Sequence, residues 1–457
     1  MKSKGNFGFV FVCPGKNYRW NAVDYVYSSK LSFVSLERSV CSAWMVLSRG
    51  NGKTRMMTRI TDMYHEKIIY PAITIKDVSG FVSRDMEFNF QGKRYSFTMN
   101  IPRSIYEGAK GSDKSVTFPS GTDVSVLWPG YHRAFVTDKE QLPVLTPLLS
   151  LFQKIKREQG LNDDEYLELI TAFVQSIPYD QERFQVGKVV DETHPDNQPR
   201  FPVETLADYT GVCQDTSYLL AALLSLEGYA VYLMKFQEEC HMTIGIPAPR
   251  TVGYKHRPLA LIETTSLSYV GDADGTYGTE NMHLSSDPEI IRIADGAKHY
   301  QSFSDIQLIF EARRELLEQI DKDGKLTQLL FSGKEKIERM KSDLEEAKQR
   351  IEMIDMQIEN TESEANRARL IQTCNKLRGE YNAGLQSYRE FSDEYNLLVE
   401  KHNRAANQYK FLTDNVSHRS MVANEIRRRK AQSGSPANKA FHQRCRAIAE
   451  KWSTSCM

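Results

Sequence analysis

The stretch from Gly211 to Tyr229, "GVCQDTSYLLAALLSLEGY", restricts the fold more than any other part of the chain. From Leu219 to Leu226 almost every position is Leu or Ala. A helix that is apolar on nearly all sides cannot face water, so other elements must enclose it. Gly228 is placed to end it. The first turn is different, being small and polar around one cysteine. Cys213 is therefore expected in an opening at the helix mouth, where free backbone N–H groups and the positive end of the helix dipole favour thiolate.

Residues 1–145 read as a β-rich region of short segments broken by turns. "FGFVFVC" runs into the turn "PGKN", and "SAWMVLSRGNGKTRMMTRITD" reads as two strands around Asn51-Gly52. "DMEFNFQGKRYSFTMNIP" repeats that pattern around Gln91-Gly92. Gly52-Lys53-Thr54 is not a phosphate loop, because Leu47 stands where the motif needs glycine. From residue 145 onward, "LPVLTPLLSLFQKIKREQ" and "NDDEYLELITAFVQSI" take helical spacing, with Asn162 or Asp163 as cap. A long polar loop then leads to Cys213, and a loop of that length is expected to be functional. After the apolar helix, three strands are expected at Tyr229 to Phe236, His241 to Ile246 and Pro258 to Ser266. Residues 146–303 thus read as an α+β unit.

From about Ser304 the sequence becomes highly charged and helical. Ile337, Leu344, Ile351 and Ile358 form one heptad series, and Tyr381, Tyr388, Tyr395, His402 and Tyr409 form another. The two registers slip near Glu362 to Leu370, which is either a local unwinding of one long rod or, the reading favoured, the place where two arms fold back on each other. Residues 304–432 are expected to form this helical coiled coil, able to self-associate or to take a partner helix. Residues 433–457 read as a basic tail after a Ser/Gly/Pro linker.

Length and composition bound the remaining possibilities. A chain of 457 residues suggests about three units. Lys and Arg balance Asp and Glu at 59 each, which gives no global attraction to nucleic acid or membranes. The seven scattered cysteines do not resemble a disulfide framework or a paired zinc module, and they suit a reducing, cytoplasmic setting. No apolar run reaches the 18 or so residues of a membrane span, and no export signal is evident.

A thiolate nucleophile calls for a base, and His241 opens the strand "HMTIGI", on the face opposite Met242, Ile244 and Ile246. The imidazole in turn needs an acceptor, and Glu263 in "LIETTS" is the nearest carboxylate at similar depth. Each residue taken singly has a structural alternative: a buried inert thiol, a solvated histidine, a surface carboxylate. Their joint order makes Cys213, His241 and Glu263 a candidate triad. Cys240 and His241 point to opposite faces of a strand, which argues against a shared metal, so neither metal nor cofactor is expected.

The run "FPVETLADYTGVCQDTSYLLAALLSLEGYAVYLMKF", followed by "HMTIGI" and "LIETTS", resembles the transglutaminase-like superfamily, particularly its archaeal and bacterial members. "YSFTMNIPRSIYE" and "ITAFVQSIPYD" extend the resemblance over residues 86 to 275. It implies a papain-like core with Cys213 as nucleophile, His241 as base and Glu263 where many relatives carry Asp. Two positions depart from the family pattern: Val212 replaces the usual Asp before the cysteine and Gln214 the Glu after it. Both changes remove negative charge beside the thiol, which favours thiolate. The implied chemistry is acyl transfer from a peptide or carboxamide through a thioester, with hydrolysis as the default fate because water is always present. The oxyanion should be held by the Cys213 N–H and a further donor, with Tyr209, Gln198 and Gln214 as substrate or oxyanion candidates. The rival reading is a catalytically silent peptide-binding domain in a coiled-coil scaffold.

Overall fold

The computed structural model describes residues 8–13, 16–19, 42–49, 54–61, 67–119, 122–189, 198–272, 276–277, 282–321 and 324–455. The chain divides into two compact units, one of residues 1–307 with 416–419, the other of residues 308–415 with 420–457. The fold is α+β, with a long helical region toward the C-terminus.

The first unit opens with strands β1 (Gly8–Cys13), β2 (Lys16–Arg19), β3 (Ser42–Arg49) and β4 (Thr54–Thr61). β3 and β4 pair antiparallel from Ser42↔Thr61 to Arg49↔Thr54, while the Asn51-Gly52 turn between them lies outside the described residues. A long hairpin follows, β5 (Phe81–Phe90) and β6 (Lys93–Pro102). Its two-residue turn places Gln91 at φ 49° and Gly92 at φ 73°, the left-handed pair that lets a tight hairpin follow the twist of its strands. Met86, Phe88 and Phe90 alternate inward, and Phe88 packs edge-on against Phe152 and Phe173 at 6.1 and 5.6 Å.

Helix α1 (Arg103–Lys110), the two-residue strand β7 (Val116–Thr117) and helix α2 (Leu127–Thr137) come next. β7 joins the first sheet, whose order is β2-β1-β3-β4-β7. The β-rich segment thus contains two helices. The reason for α2 is visible in hindsight: Trp128, Tyr131, His132 and Phe135 recur at helical spacing and all four are buried.

Helices α3 (Leu142–Gln159) and α4 (Asp163–Gln175) lie near the expected positions. Asn162 caps α4, accepting from the Glu165 N–H at 2.9 Å while Glu165 reaches back to the Asn162 N–H at 3.2 Å. The long polar loop is not structureless. It carries α5 (Gln181–Val189) and α6 (Pro202–Asp208), and residues 190–197 between them lie outside the described set.

The apolar helix is α7 (Cys213–Leu226), and Leu219, Leu220, Leu223 and Leu224 are all fully buried. Burying each leucine contributes about 2 kcal/mol, so this helix anchors the unit. Gly228 follows at φ 87°, where a side chain would strain the backbone. Against α7 stands a second sheet of β8 (Val231–Phe236), β9 (His241–Pro247), β10 (Leu259–Ile262) and β13 (Glu289–Ala294), in the order β10-β9-β8-β13 and antiparallel throughout. The short pair β11 (Thr276–Tyr277) and β12 (Met282–His283) precedes β13. Residues 241–246 of β9 are buried without alternation: β9 lies between β8 and β10 in the sheet, and α7 packs against it.

The second unit is helical. α8 (Phe303–Asp321) enters it, and α9 (Lys325–Glu359) and α10 (Glu364–Asp414) form an antiparallel hairpin. Across it, Arg378 pairs with Asp355 at 2.7 Å, and a Cβ on Gly384 would contact Leu344 at 3.3 Å. The chain reverses at residues 360–363, beside the point where the two heptad registers slip. α11 (Arg419–Ser433) and α12 (Pro436–Ser455) complete the unit. The C-terminal segment is therefore a packed helix instead of a tail. Cys445, Ile448 and Trp452 share one buried face with Leu398, and Trp452 stacks on Phe391 at 4.4 Å, leaving the basic residues on the outer side. Gly333 is required here, since a Cβ would come within 2.7 Å of the Trp452 ring. Among the described residues, no helix is long and apolar enough to cross a membrane.

Candidate active site

The start of α7 is held by buried charge. Val212, the residue before the helix, is extended and donates its N–H to Asp215 Oδ2 at 3.0 Å. Asp215 is fully buried, accepts the Arg200 N–H at 3.0 Å and forms an ion pair with Arg183. An unpaired carboxylate could not remain charged at that depth, so Arg183 and Asp215 fix each other in place. Gly211 passes so close that a Cβ would sit 3.0 Å from Asp215 Cβ. Its backbone forms a parallel bridge with Tyr179, through Gly211 N–H to Pro178 O at 3.3 Å and Asp180 N–H to Gly211 O at 3.0 Å.

Into this frame come the three residues expected to act together. Cys213 is the first residue of α7 and 7% exposed; His241 is the first residue of β9 and 5% exposed. Glu263 follows the last residue of β10 and is fully buried. His241 Nε2 lies 2.8 Å from Glu263 Oε2, and the Cys213 sulfur is close enough to act on the imidazole. With Nε2 committed to the carboxylate, Nδ1 is the nitrogen left for the thiol. The other carboxylate oxygen, Glu263 Oε1, accepts from the Thr265 N–H at 2.7 Å and the Thr265 hydroxyl at 2.6 Å. Gln175 donates to the Glu263 carbonyl at 2.8 Å, and Ser217 of α7 donates to the Met242 carbonyl of β9 at 3.0 Å. These bonds tie helix, strand and carboxylate to one another across the sheet.

The electrostatics follow from burial set against pairing. Burial alone would discharge His241, but the Glu263 carboxylate and the Cys213 sulfur outweigh it and raise the imidazolium pKa to about 10. Burial would likewise protonate Glu263, yet His241 and the two Thr265 donors hold its carboxyl below the ordinary value. The arrangement is an imidazolium–carboxylate pair next to a thiol, able to give a proton to a leaving group and to take one back.

Cys240 sits just before the histidine in the left-handed region, at φ 55°, an uncommon conformation for a residue with a side chain. That twist aims its carbonyl at Cys213, whose Sγ lies 3.8 Å from Cys240 O. The Cys240 thiol turns instead to the Gln237 carbonyl at 3.7 Å. Among the described residues, no group of three or more His, Cys, Asp or Glu could hold a metal ion.

The three further candidates lead elsewhere. Tyr209 ends α6 in the left-handed region at φ 51°, and its hydroxyl donates to the Glu87 carbonyl at 3.0 Å. The Gln198 carbonyl accepts from Arg183. Gln214 donates to the Tyr218 hydroxyl at 2.7 Å, which in turn bonds His132 Nδ1 at 2.6 Å. A different residue reaches Cys213: the Tyr179 side chain lies close enough to the backbone N–H of Cys213 to feel it. Burial first, then the nearby Cys213 and Asp215, raise the Tyr179 pKa, so the phenol keeps its proton. Tyr179 lies within "SIPYD", 34 positions before the cysteine, and only the bridge to Gly211 brings it there. No periodicity in the sequence could have revealed that proximity.

Comparison with curated proteins gives no match, and comparison with solved structures gives none either. Residues 150–248 match the family model described as a transglutaminase-like domain. That match spans α4, the polar segment before Cys213, the whole of α7, and the strands β8 and β9 up to and beyond His241. Residues 150–248 of the chain accordingly form a transglutaminase-like domain.

Proposed function

We propose that this protein is a cysteine acyl hydrolase acting on a peptide or carboxamide, with Cys213 as nucleophile, His241 as acid–base and Glu263 as the group that orients and charges the imidazole. The observation that carries this reading is His241 bonded to Glu263 with the Cys213 sulfur close to its imidazole. In the first half-reaction, the Cys213 sulfur, as thiolate, bonds to the carbonyl carbon while the carbonyl oxygen takes up the negative charge. Two donors meet that oxygen: the Cys213 N–H and the Tyr179 O–H, which turns to the oxyanion as the substrate enters. The tetrahedral adduct collapses, His241 protonates the departing amine, and a thioester remains. In the second half, neutral His241 takes a proton from water, hydroxide adds to the thioester, and collapse releases the acid and regenerates the thiolate. An amine in place of water would give transamidation. Hydrolysis is the simpler outcome, because transamidation also needs a site that excludes water and holds the amine.

The test is labelling of the intact protein by peptide vinyl sulfones, with product analysis of a peptide library in the presence and absence of a primary amine. Expected are labelling of Cys213 ahead of the other thiols, loss of that preference in His241→Ala, and release of free acid. Equal labelling of all accessible thiols would leave a peptide-binding scaffold domain as the better account. An amide product that forms only with added amine would rename the enzyme a transamidase.

A further inference from the structure

Within the helical unit, α8, α10, α11 and α12 enclose a groove of about 720 Å³, a size common among ligand-binding clefts. Its floor is apolar: Ala312, Leu316, Ala405, Leu412 and Ile426 are buried, with Phe441 at one wall. Its rim is cationic. Lys401 and Arg404 come from α10 and Arg429 and Lys430 from α11, against the single acidic residue of the lining, Glu315 of α8. Glu400 pairs with Arg404 and Glu425 with Arg429, which offsets part of that charge. Among the described residues no carboxylate pairs with Lys401 or Lys430.

We propose that this groove is a docking site for an acidic amphipathic peptide segment of a partner protein, apolar side chains on the floor and carboxylates against Lys401 and Lys430. The two halves of the groove each select for part of that ligand. A free inorganic anion would satisfy the rim and leave the apolar floor exposed to water; a neutral apolar segment would fill the floor and leave the lysines unmatched. His442 provides an internal reporter. Partial burial and the positive field of Lys401 and Arg404 hold its pKa below the ordinary value, with Glu315, Arg429 and Lys430 the other charged groups lining the groove. Carboxylates arriving there would raise it. Binding should therefore take up a proton, and affinity should rise as pH falls.

The experiment is fluorescence anisotropy of full-length protein with a labelled helix-forming peptide of Glu and Leu in amphipathic spacing. Expected is saturable binding that weakens about tenfold in Lys401→Glu/Lys430→Glu, weakens with added salt, and tightens between about pH 8 and about pH 6. His442→Asn should remove that pH dependence without abolishing binding. If the charge-reversal pair alters the far-ultraviolet circular dichroism, Lys401→Ala/Lys430→Ala replaces it, with a loss of about threefold to fivefold expected. Equal binding of a peptide with Ser in place of Leu, equal binding of one with Lys in place of Glu, displacement by inorganic triphosphate at equal concentration, or an unaffected double variant would each overturn the proposal.

Discussion

The two units differ in where they pair charge. The first carries exposed pairs, such as Arg94 with Glu87 at 69% and 59% exposed, but it also carries interior ones. The side chains of Lys114 and Glu204 are 6% and 5% exposed, those of Arg183 and Asp215 8% and 0%, and those of His241 and Glu263 4% and 1%. In the second, no pair among the described residues is buried on both sides: Arg350 and Glu346 are 65% and 63% exposed, Lys376 and Glu380 are 78% and 60% exposed, and the most sheltered, Arg429 with Glu425, is 34% and 19% exposed. A buried charge that loses its partner leaves an ion stranded at low dielectric, whereas an exposed one merely regains water. Interior pairs therefore set geometry and perturb ionisation, which is what a reactive thiol requires. Exposed pairs leave the helical hairpin to be determined by its apolar seams.

Substitutions at the site should break this contrast most sharply. Cys213→Ala is expected to lower turnover of any peptide substrate by about 10⁶-fold while the melting temperature holds, as measured by steady-state kinetics beside calorimetry. Turnover near the wild-type level would remove the chemistry from the first unit altogether.

Glu263→Gln comes next, with a loss of about 10⁴-fold, by analogy with removal of the orienting carboxylate in other triads. The pH profile gives the finer reading. His241 holds its proton to about pH 10, so activity that needs the imidazolium should fall on an alkaline limb near that value. The signs for stability run in parallel. The raised histidine pKa contributes fully below pH 6.5 and is lost as pH climbs through about 10. The lowered glutamate pKa contributes above 4.5 and is lost as pH falls through its folded value. Without the carboxylate, the alkaline limb should move toward neutrality; an unmoved limb would show that His241 does not depend on Glu263.

Tyr179→Phe is expected to slow acylation by about 10²- to 10³-fold with little change in KM, the signature of a lost oxyanion donor. Alkylation of Cys213 by iodoacetamide, which forms no oxyanion, should keep its wild-type rate. An increase in acylation would mean that the phenol merely blocks the Cys213 N–H.

The smallest effects test the comparison in stability alone. Arg183→Ala should cost about 3–5 kcal/mol by stranding Asp215, whereas Arg378→Ala, across the helical hairpin, should cost less than about 1 kcal/mol. Equal costs in urea unfolding would erase the distinction between the units.

Much of this molecule was legible along the chain. The burial of α7, the hairpin around Gln91-Gly92 and the Asn162 cap rest on patterns a few residues long, where the period of the backbone itself declares which face is apolar, while the heptads from Ile337 to Tyr409 allow both a single rod and a fold-back. The helical C-terminal segment was missed because its basic residues mask the spacing of Cys445, Ile448 and Trp452, whose partner Leu398 lies far away in sequence. α2 was hidden in the same way by Pro129 and Gly130, which read as punctuation.

By itself the sequence determined the α+β class, the apolar helix with a thiol at its mouth and the order in which Cys213, His241 and Glu263 follow one another. Only the tertiary structure decided that Tyr179 comes close to the Cys213 amide, that Cys240 turns its carbonyl on the sulfur, and that Arg183 neutralises Asp215 beneath the helix start. Local pattern records what a residue must do about water. Which distant atom meets which is settled by how sheets and helices close on one another, and no spacing along the chain encodes that directly.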